Sequence, residues 1–439
     1  MKGSIVMAFH LKGVSLSHKK ATAGVSAVRM PTPKTVLIPT SMHIGAPAKL
    51  EVAPGTEVKV GTLIASASAR VSSPVYSSVS GKVTKIVDYL LSGGSTVPAV
   101  VIESDGLMTR EDVSAPTVTN REEFILAVRN SGIVGLGGAG FPTDVKLDVP
   151  PEKIEQVIIN GAECEPYITS DTYTMTARAE DMKAGILAIQ KFLGVSSIII
   201  GVESHNRAAI DSMQVLAASL PGVSVKVLPS KYPQGGEKVL IYHTVGKVVP
   251  IGELPISVGC IVLNCTTVAS IGEYLKTGMP LVEKCVTVDG AAVNAPGNVI
   301  VPIGTVISDL FEFCGGLKFD PAKVLYGGPM MGVSLPGMNF PVVKNTNAVL
   351  ALSEREIRYP KVTACIRCGG CTNVCPFGLA PAAISKAYDK KDVEEMKKLR
   401  VTACMECGCC SFSCPANRPL VQTNKLAKEY LKKEGGKNG

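Results

Sequence analysis

The sequence predicts a multidomain α+β chain in which a small all-β unit, an α/β sheet unit, a shorter mixed unit and a helical, cysteine-rich unit follow one another. Three observations carry this expectation. The length of 439 residues exceeds what one hydrophobic core organises. The apolar pattern changes along the chain, from short Val/Ile/Leu runs between Gly, Pro and Ser turns to alternating strand and helix segments. Nine of the fourteen cysteines fall within residues 365–414 at short, regular spacings, a pattern of metal ligation rather than of a disulfide framework. The expected units are 1–115, 116–272, 273–345 and 350–431.

In the first unit, Val58-Lys59-Val60-Gly61-Thr62-Leu63-Ile64 and Ser80-Gly81-Lys82-Val83-Thr84-Lys85-Ile86-Val87 read as short strands. Asn120-Arg121-Glu122-Glu123 then opens a helix, acidic in its first turn, with Phe124, Ile125 and Val128 inward. A Gly-rich loop follows. Strand Gln156-Val157-Ile158-Ile159, a long helix over 175–193, a strand over 197–201, a helix over 207–220 and a strand over 223–228 give the rhythm of an α/β sheet. The third unit holds a strand and turn at Cys285-Val286-Thr287-Val288-Asp289-Gly290 and a helix over 307–314. Residues 382–399 read as one long helix between two cysteine runs.

Composition excludes several functions. The longest uncharged stretch, 254–272, is interrupted by Pro255, Ser257, Asn264, Thr266 and Thr267, so no transmembrane helix is expected. Residues 1–30 lack the apolar core of a secretory signal, which implies a chain that stays in the cytoplasm. Tryptophan is absent and aromatics are 5%, so nucleic-acid stacking platforms are not expected, and the net charge of +8 is modest for the length. Lys425, Lys428, Lys432, Lys433 and Lys437 read as a solvated face.

The sharpest signal is a repeated C-x2-C-x2-C-x3-C-P run: Cys365, Cys368, Cys371 and Cys375 before Pro376, then Cys404, Cys407, Cys410 and Cys414 before Pro415. In two-cluster ferredoxins the fourth cysteine of each run ligates the other cluster. That rule assigns Cys365, Cys368, Cys371 and Cys414 to one 4Fe-4S cluster, and Cys404, Cys407, Cys410 and Cys375 to a second. All-cysteine zinc is the alternative, but it needs no third and fourth cysteine in each run. Cys409 falls outside the spacing, and Cys164, Cys260, Cys265, Cys285 and Cys314 are dispersed, as buried apolar cysteines are.

The loop Gly135-Leu136-Gly137-Gly138-Ala139-Gly140-Phe141-Pro142-Thr143 frees backbone N–H groups to approach an anionic or planar ligand, although it matches neither the Walker A nor the Rossmann fingerprint. With Lys146, Asn160-Gly161-Ala162-Glu163-Cys164-Glu165-Pro166, Tyr232-Pro233-Gln234-Gly235-Gly236-Glu237 and Asn264-Cys265-Thr266-Thr267 it resembles, in order, the hallmark segments of the 51 kDa flavoprotein subunit of respiratory complex I. Leu136, Ala162 and Gly236 replace that family's Arg, Asp and Glu, so those contacts do not carry over.

The first unit resembles the barrel-sandwich hybrid of biotinyl and lipoyl domains, through Ala53-Pro54-Gly55-Thr56-Glu57-Val58 and Ser73-Pro74-Val75, without an acceptor lysine over 65–70. The third resembles a β-grasp, SLBB-like domain. The spacer between the cysteine runs resembles that of an α-helical ferredoxin. The whole order, with His43-Ile44-Gly45-Ala46-Pro47-Ala48 and Cys365-Ile366-Arg367-Cys368-Gly369, resembles the RnfC family of the Rnf complex.

That resemblance implies an NADH-linked iron–sulfur flavoprotein on the cytoplasmic face of a bacterial membrane. Its partners would be the membrane and ferredoxin-like Rnf subunits, with ferredoxin reached indirectly, and its role would be to exchange hydride between NAD(H) and FMN and single electrons through two 4Fe-4S clusters. It implies that Gly135, Gly137, Gly138, Gly140 and Asn264 cradle FMN, and that Glu163, Glu165, Glu237 and Phe141 line the nicotinamide side, with Glu163 and Glu237 in the catalytic role. Lys146, Asn160, Tyr232, Gly235 and Thr266 complete the cofactor-binding set. His43 is read as structural, since hydride transfer needs no protein base at the nicotinamide carbon. Two alternatives stay open: the related NADH-dependent cobalamin reductase of bacterial microcompartments, and a flavin-free iron–sulfur adaptor.

Overall fold

A computed structural model describes residues 12–91, 94–357 and 361–435. Residues 1–11 of the N-terminal stretch and Lys437 lie outside the described residues.

The all-β unit is two small sheets folded on each other. One contains Thr35–Pro39, Thr96–Ser104, Gly81–Leu90 and Glu57–Val58; the other contains Lys49–Leu50, Leu63–Ser66 and Val75–Tyr76. The run over 58–64 therefore splits between the two sheets, and Ile64, Val75, Val83, Val100 and Ile102 from both form the core. The first described residues do not belong to this unit. Val28–Arg29 adds an edge strand to the third unit's sheet, and Val14 bridges Tyr232 of the α/β unit.

The α/β unit carries a four-stranded parallel sheet in the spatial order Val223–Leu228, Ile198–Glu203, Gln156–Gly161, Cys260–Asn264. Strand Gln156–Gly161 is apolar on both faces because helices cover both, and Val157, Ile159, Ile200, Met182, Ile186 and Val268 share one core. From Gln156–Gly161 the chain first builds outward on one side and then crosses to the other. The switch point therefore lies between Gln156–Gly161 and Cys260–Asn264, where a crevice forms at the carboxyl ends of the strands. Asn160 and Asn264 are cross-strand partners there.

The helix expected over 175–193 is two helices, Ser170–Ala177 and Ala179–Leu193. Arg178 between them leaves helical geometry (φ −118°, ψ 29°), and its guanidinium pairs with Asp181 and Glu273. The helix Arg121–Asn130 starts as read, with the Asn120 side chain accepting from the Glu123 N–H and Phe124 and Val128 buried.

The third unit is a six-stranded mixed sheet in the order Val28–Arg29, Gly297–Pro302, Glu283–Asp289, Ala348–Leu352, Lys323–Tyr326, Val333–Leu335. Helix Ile307–Phe313 packs Leu310 and Phe311 against it. The closing strand, Ala348–Leu352, lies beyond the expected boundary at 345.

The cysteine-rich unit is helical: Gly370–Asn373, Pro381–Asp389, Val393–Lys398, Cys409–Phe412 and Leu420–Gly435. The spacer expected as one helix breaks at Lys391, which adopts φ 56°, after which the Asp392 side chain caps a new helix by accepting from the Glu395 N–H. Among the described residues no helix is long and apolar enough to cross a membrane.

Candidate functional site

The Gly-rich loop closes over the switch point. Its base is a tight ring, with Gly135 N–H donating to Phe141 O at 2.8 Å and Gly140 N–H to Gly135 O at 3.0 Å. Its tip presents Gly137, Gly138 and Ala139 to solvent, and among the described residues nothing accepts from their three N–H groups. Successive free N–H groups at such a crevice form a cradle for an anion or a polar ring edge. A Cβ at Gly137 would lie 2.8 Å from Asn264 Nδ2, so only glycine lets the loop rest on the strand end. The neighbouring units brace the loop: Ile44 N–H donates to Gly140 O, Asn345 Nδ2 to Gly138 O, and the buried Lys284 Nζ to Leu136 O.

Beneath the loop, Asn264 caps helix Cys265–Thr277 by accepting from the Thr266 and Thr267 N–H groups, and its Nδ2 donates to Asp171. The Thr266 hydroxyl donates to the same Asp171. These two candidates build the crevice floor. Asn160 joins two loops, its Nδ2 donating to Gly235 O at 2.9 Å and its Oδ1 accepting from the Ala162 N–H. Lys146 and Glu237, 91 residues apart, meet at 2.7 Å, each about one-third exposed, and Lys146 also donates to Val262 O on the switch-point strand.

Glu163 and Glu165, expected to line the nicotinamide side, are turned inward. The Glu163 carboxylate accepts from the Asp171 and Thr172 N–H groups at the start of helix Ser170–Ala177 and from the Thr172 hydroxyl. Glu165 accepts from the Met330 and Met331 N–H groups of the third unit. Burial pushes both up to about 7. The physical reason for the inward turn is that a helix start and a tight turn offer N–H donors that a buried carboxylate requires.

Sequence reasoning missed Glu203, which ends the strand beside Gln156–Gly161. It is 1% exposed and neither oxygen makes a well-formed hydrogen bond. Burial pushes it up to about 7, against the opposing pull of Lys20 and the Lys231 N–H. The signal was an acid terminating the apolar run Ile198–Val202, legible only once the strand order is known.

Tyr232, expected among the cofactor contacts, instead reaches the cysteine-rich unit. It is buried, and its hydroxyl donates to Cys407 O at 2.7 Å. Gly235 N–H points at the Cys164 sulfur at 3.4 Å. A Cβ at Gly236 would lie 2.4 Å from Met405 Cε, so the glycine that replaces an acid of the complex I pattern gives way to the second cysteine run. His43 is structural as read: Nε2 lies 2.9 Å from Ala46 O and 3.2 Å from Ser73 N, and burial, reinforced by Lys344, brings it down to about 4.

Cys375, Cys404, Cys407 and Cys410 line one small cavity together with Cys409. Burial raises Cys410 to about 12, with Cys404, Cys407 and Cys375 adding to the effect, so the four thiols lie within electrostatic reach of one another. Cys371 and Cys414 pack against Cys410, Leu420 and Val421, and Cys365 and Cys368 are exposed. The cavity brings Cys375, the fourth cysteine of the first run, to members of the second, while Cys414 packs both with Cys371 of the first run and with Cys410 of its own. The thiols that line this cavity fit the donor chemistry of a 4Fe-4S cluster. Among the described residues no group of three or more His, Cys, Asp or Glu is arranged to hold a metal ion. Lys428, read as solvated, clamps the second run through Cys404 O and Glu406.

A cavity of about 570 Å³ lies away from this crevice, at the junction of three units, lined by Arg29, Arg110, Tyr274, Met279 and Glu283 among others. Its walls bring together none of the candidate residues.

The fold and site define a class: a chain that couples a flavin-type nucleotide domain to a dicluster ferredoxin domain. Family models match in that order, a barrel-sandwich hybrid domain of the RnfC type over residues 8–107, the Nuo51 FMN-binding domain over 128–273, the SLBB domain over 285–334 and a 4Fe-4S dicluster domain over 359–415. The RnfC subunit of the proton-translocating ferredoxin:NAD(+) oxidoreductase complex of Clostridium ljungdahlii is 40% identical over 388 residues, 87% of this chain and 84% of that protein. The same subunit of the Na(+)-translocating complex of Acetobacterium woodii is 40% identical over 94% of each chain. That of the ion-translocating oxidoreductase complex of Rhodobacter capsulatus is 38% identical over 94% of this chain and 81% of that protein. This chain belongs to the RnfC family of subunits of the ion-translocating oxidoreductase complexes. An NAD+-reducing [NiFe]-hydrogenase chain aligns at 18% identity and a TM-score of 0.49, covering 73% of this chain and 63% of that one.

Proposed function

We propose that the chain is the peripheral NAD(H)-linked electron-transfer subunit of a membrane-bound ion-translocating ferredoxin:NAD+ oxidoreductase, carrying FMN and two 4Fe-4S clusters at the cytoplasmic face. The observation that carries this reading is the crevice of free N–H groups at residues 137–139, joined through loop 232–236 to the second cysteine run. When bound, FMN exchanges a hydride with NAD(H) and single electrons with iron–sulfur clusters. The chain's own residues do the positioning. The loop tip offers donors, Asn264 and Thr266 fix the floor, and the Lys146–Glu237 pair stands at the side of the crevice, the most accessible charged pair among the candidates. Glu163 and Glu165 act by holding the loop that carries them. Cys404, Cys407, Cys410 and Cys375 would form the cluster site nearest the flavin unit, because Tyr232 and Met405 touch across that boundary. Cys365, Cys368, Cys371 and Cys414 would hold the other, with Cys365 and Cys368 exposed.

The cobalamin-reductase and adaptor alternatives are not favoured, given relatives at 36–40% identity that are RnfC subunits of such complexes. NADH added without oxygen to protein reconstituted with FMN is expected to bleach the flavin absorbance. Lys146→Met and Glu237→Gln are expected to weaken that reaction by about tenfold or more. Protein that retains FMN but is not reduced by NADH would overturn the proposal.

A further inference from the structure

We propose that Lys20, from the N-terminal segment, is a positioning residue of the nucleotide site, the cation that shapes the loop between strand Gln156–Gly161 and helix Ser170–Ala177. The proposal rests on the NAD(H) reading above and deepens it.

The segment over 12–22 runs across the carboxyl edge of the parallel sheet. Val14 and Tyr232 exchange backbone hydrogen bonds at 2.9 and 3.0 Å, Tyr167 N–H donates to His18 O at 3.0 Å, and the Thr22 and Thr169 hydroxyls meet at 2.6 Å. His18 stacks on His205, with ring centroids 3.9 Å apart, at the end of the strand that carries Glu203. Within this strap the Lys20 side chain is only 12% exposed. Its ammonium donates to Glu163 O at 2.8 Å, to Glu165 O at 2.9 Å and to Ile168 O, and lies 3.9 Å from the Glu163 carboxylate.

An ammonium has three N–H donors, and here all three go to carbonyls of one irregular loop. Loop 162–169 has no strand partner to take those carbonyls, which converge on one point and repel one another unless a cation sits there. The same charge faces Glu163, Glu165 and Glu203 together, opposing the burial that raises each of them. Asp171, Cys164, His18 and His205 complete the ionisable surroundings. Lys20 therefore fixes the path of residues 163–168 as the chain leaves the strand, without being placed to touch a nucleotide itself.

The test uses the full-length, cluster- and FMN-loaded protein and its Lys20→Met and Lys20→Gln variants. Amide hydrogen exchange is followed by mass spectrometry, alongside NADH-dependent dye reduction. In Lys20→Met, exchange of amides over 163–169 is expected to rise about tenfold while strand Ile198–Glu203 keeps its protection. The KM for NADH should rise about tenfold with kcat within about twofold, and flavin and iron content should not change. Lys20→Gln, which keeps two donors but no charge, should fall between wild type and Lys20→Met; if Lys20→Met does not accumulate, this variant decides alone. Unchanged exchange over 163–169, or a rise shared equally by strand Ile198–Glu203, would overturn the proposal. The exchange result stands even if the wild type proves unable to oxidise NADH, so failure of the functional reading and failure of the Lys20 assignment are distinguishable.

Discussion

Replacing Glu203 by glutamine is expected to stabilise the protein at alkaline pH and to leave it nearly unchanged near pH 5. The carboxyl is 1% exposed, with no well-formed hydrogen bond to either oxygen, and burial pushes it up to about 7 from its ordinary 4.5. A group raised in the folded state favours folding fully only below its unfolded value, and that contribution is lost as pH climbs through the folded value. At about 1.4 kcal/mol per pH unit, the wild type forgoes about 3 kcal/mol by pH 8, whereas the neutral amide forgoes none. Glu163 and Glu165, raised in the same way, are present in both proteins and largely cancel in the difference. Circular dichroism followed through thermal unfolding, without oxygen, at about pH 5 and about pH 8 would measure it. If the α/β unit unfolds on its own, the variant should melt about 6–12 °C higher at the upper pH and within about 3 °C at the lower. A variant less stable than wild type at pH 8, or a gap independent of pH, would refute the reasoning.

The other expectations concern the cysteine runs and the boundaries between units. Cys375→Ser and Cys407→Ser should each halve iron from about eight to about four and leave the same residual electron paramagnetic resonance signal, while Cys414→Ser and Cys368→Ser should leave the other; matching signals from Cys375→Ser and Cys368→Ser would contradict the crossed pairing. Gly236→Glu, which restores the complex I pattern, should leave iron content close to that of wild type, because the atom its Cβ would meet at 2.4 Å is the terminal methyl of Met405, the free end of a flexible side chain. Loss of iron in this variant that Met405→Ala reverses would show that Met405 cannot yield. Phe311→Ala, in the core of the third unit, should cost about 3–5 kcal/mol in urea unfolding, and a cost under about 1 kcal/mol would show that the site collapses around the cavity.

Much of this arrangement is legible in the residues themselves. The strands Gln156–Gly161, Ile198–Glu203 and Val223–Leu228 announce themselves by apolar runs between turn signals, and the two cysteine runs by spacing alone. The break at Lys391 was also there to be read, since Asp392 with Glu395 three residues on is a capping pattern inside a stretch otherwise helical throughout. The break at Arg178 was not, because no proline or glycine marks it and its partner Glu273 is 95 residues away. The roles of Lys20, Glu203 and Tyr232 were hidden for the same reason. Each depends on a contact across more than one hundred residues or on strand order, neither of which local pattern encodes.

The most direct test is to purify the protein without oxygen, reconstitute it, and measure iron, sulfide and flavin together with NADH-dependent reduction of an artificial acceptor. An NAD(H)-linked flavoprotein with two clusters should hold about eight irons and about one FMN per chain, with NADH oxidation that falls on changing Glu237. Full iron and sulfide with no flavin and no NADH oxidation would contradict it.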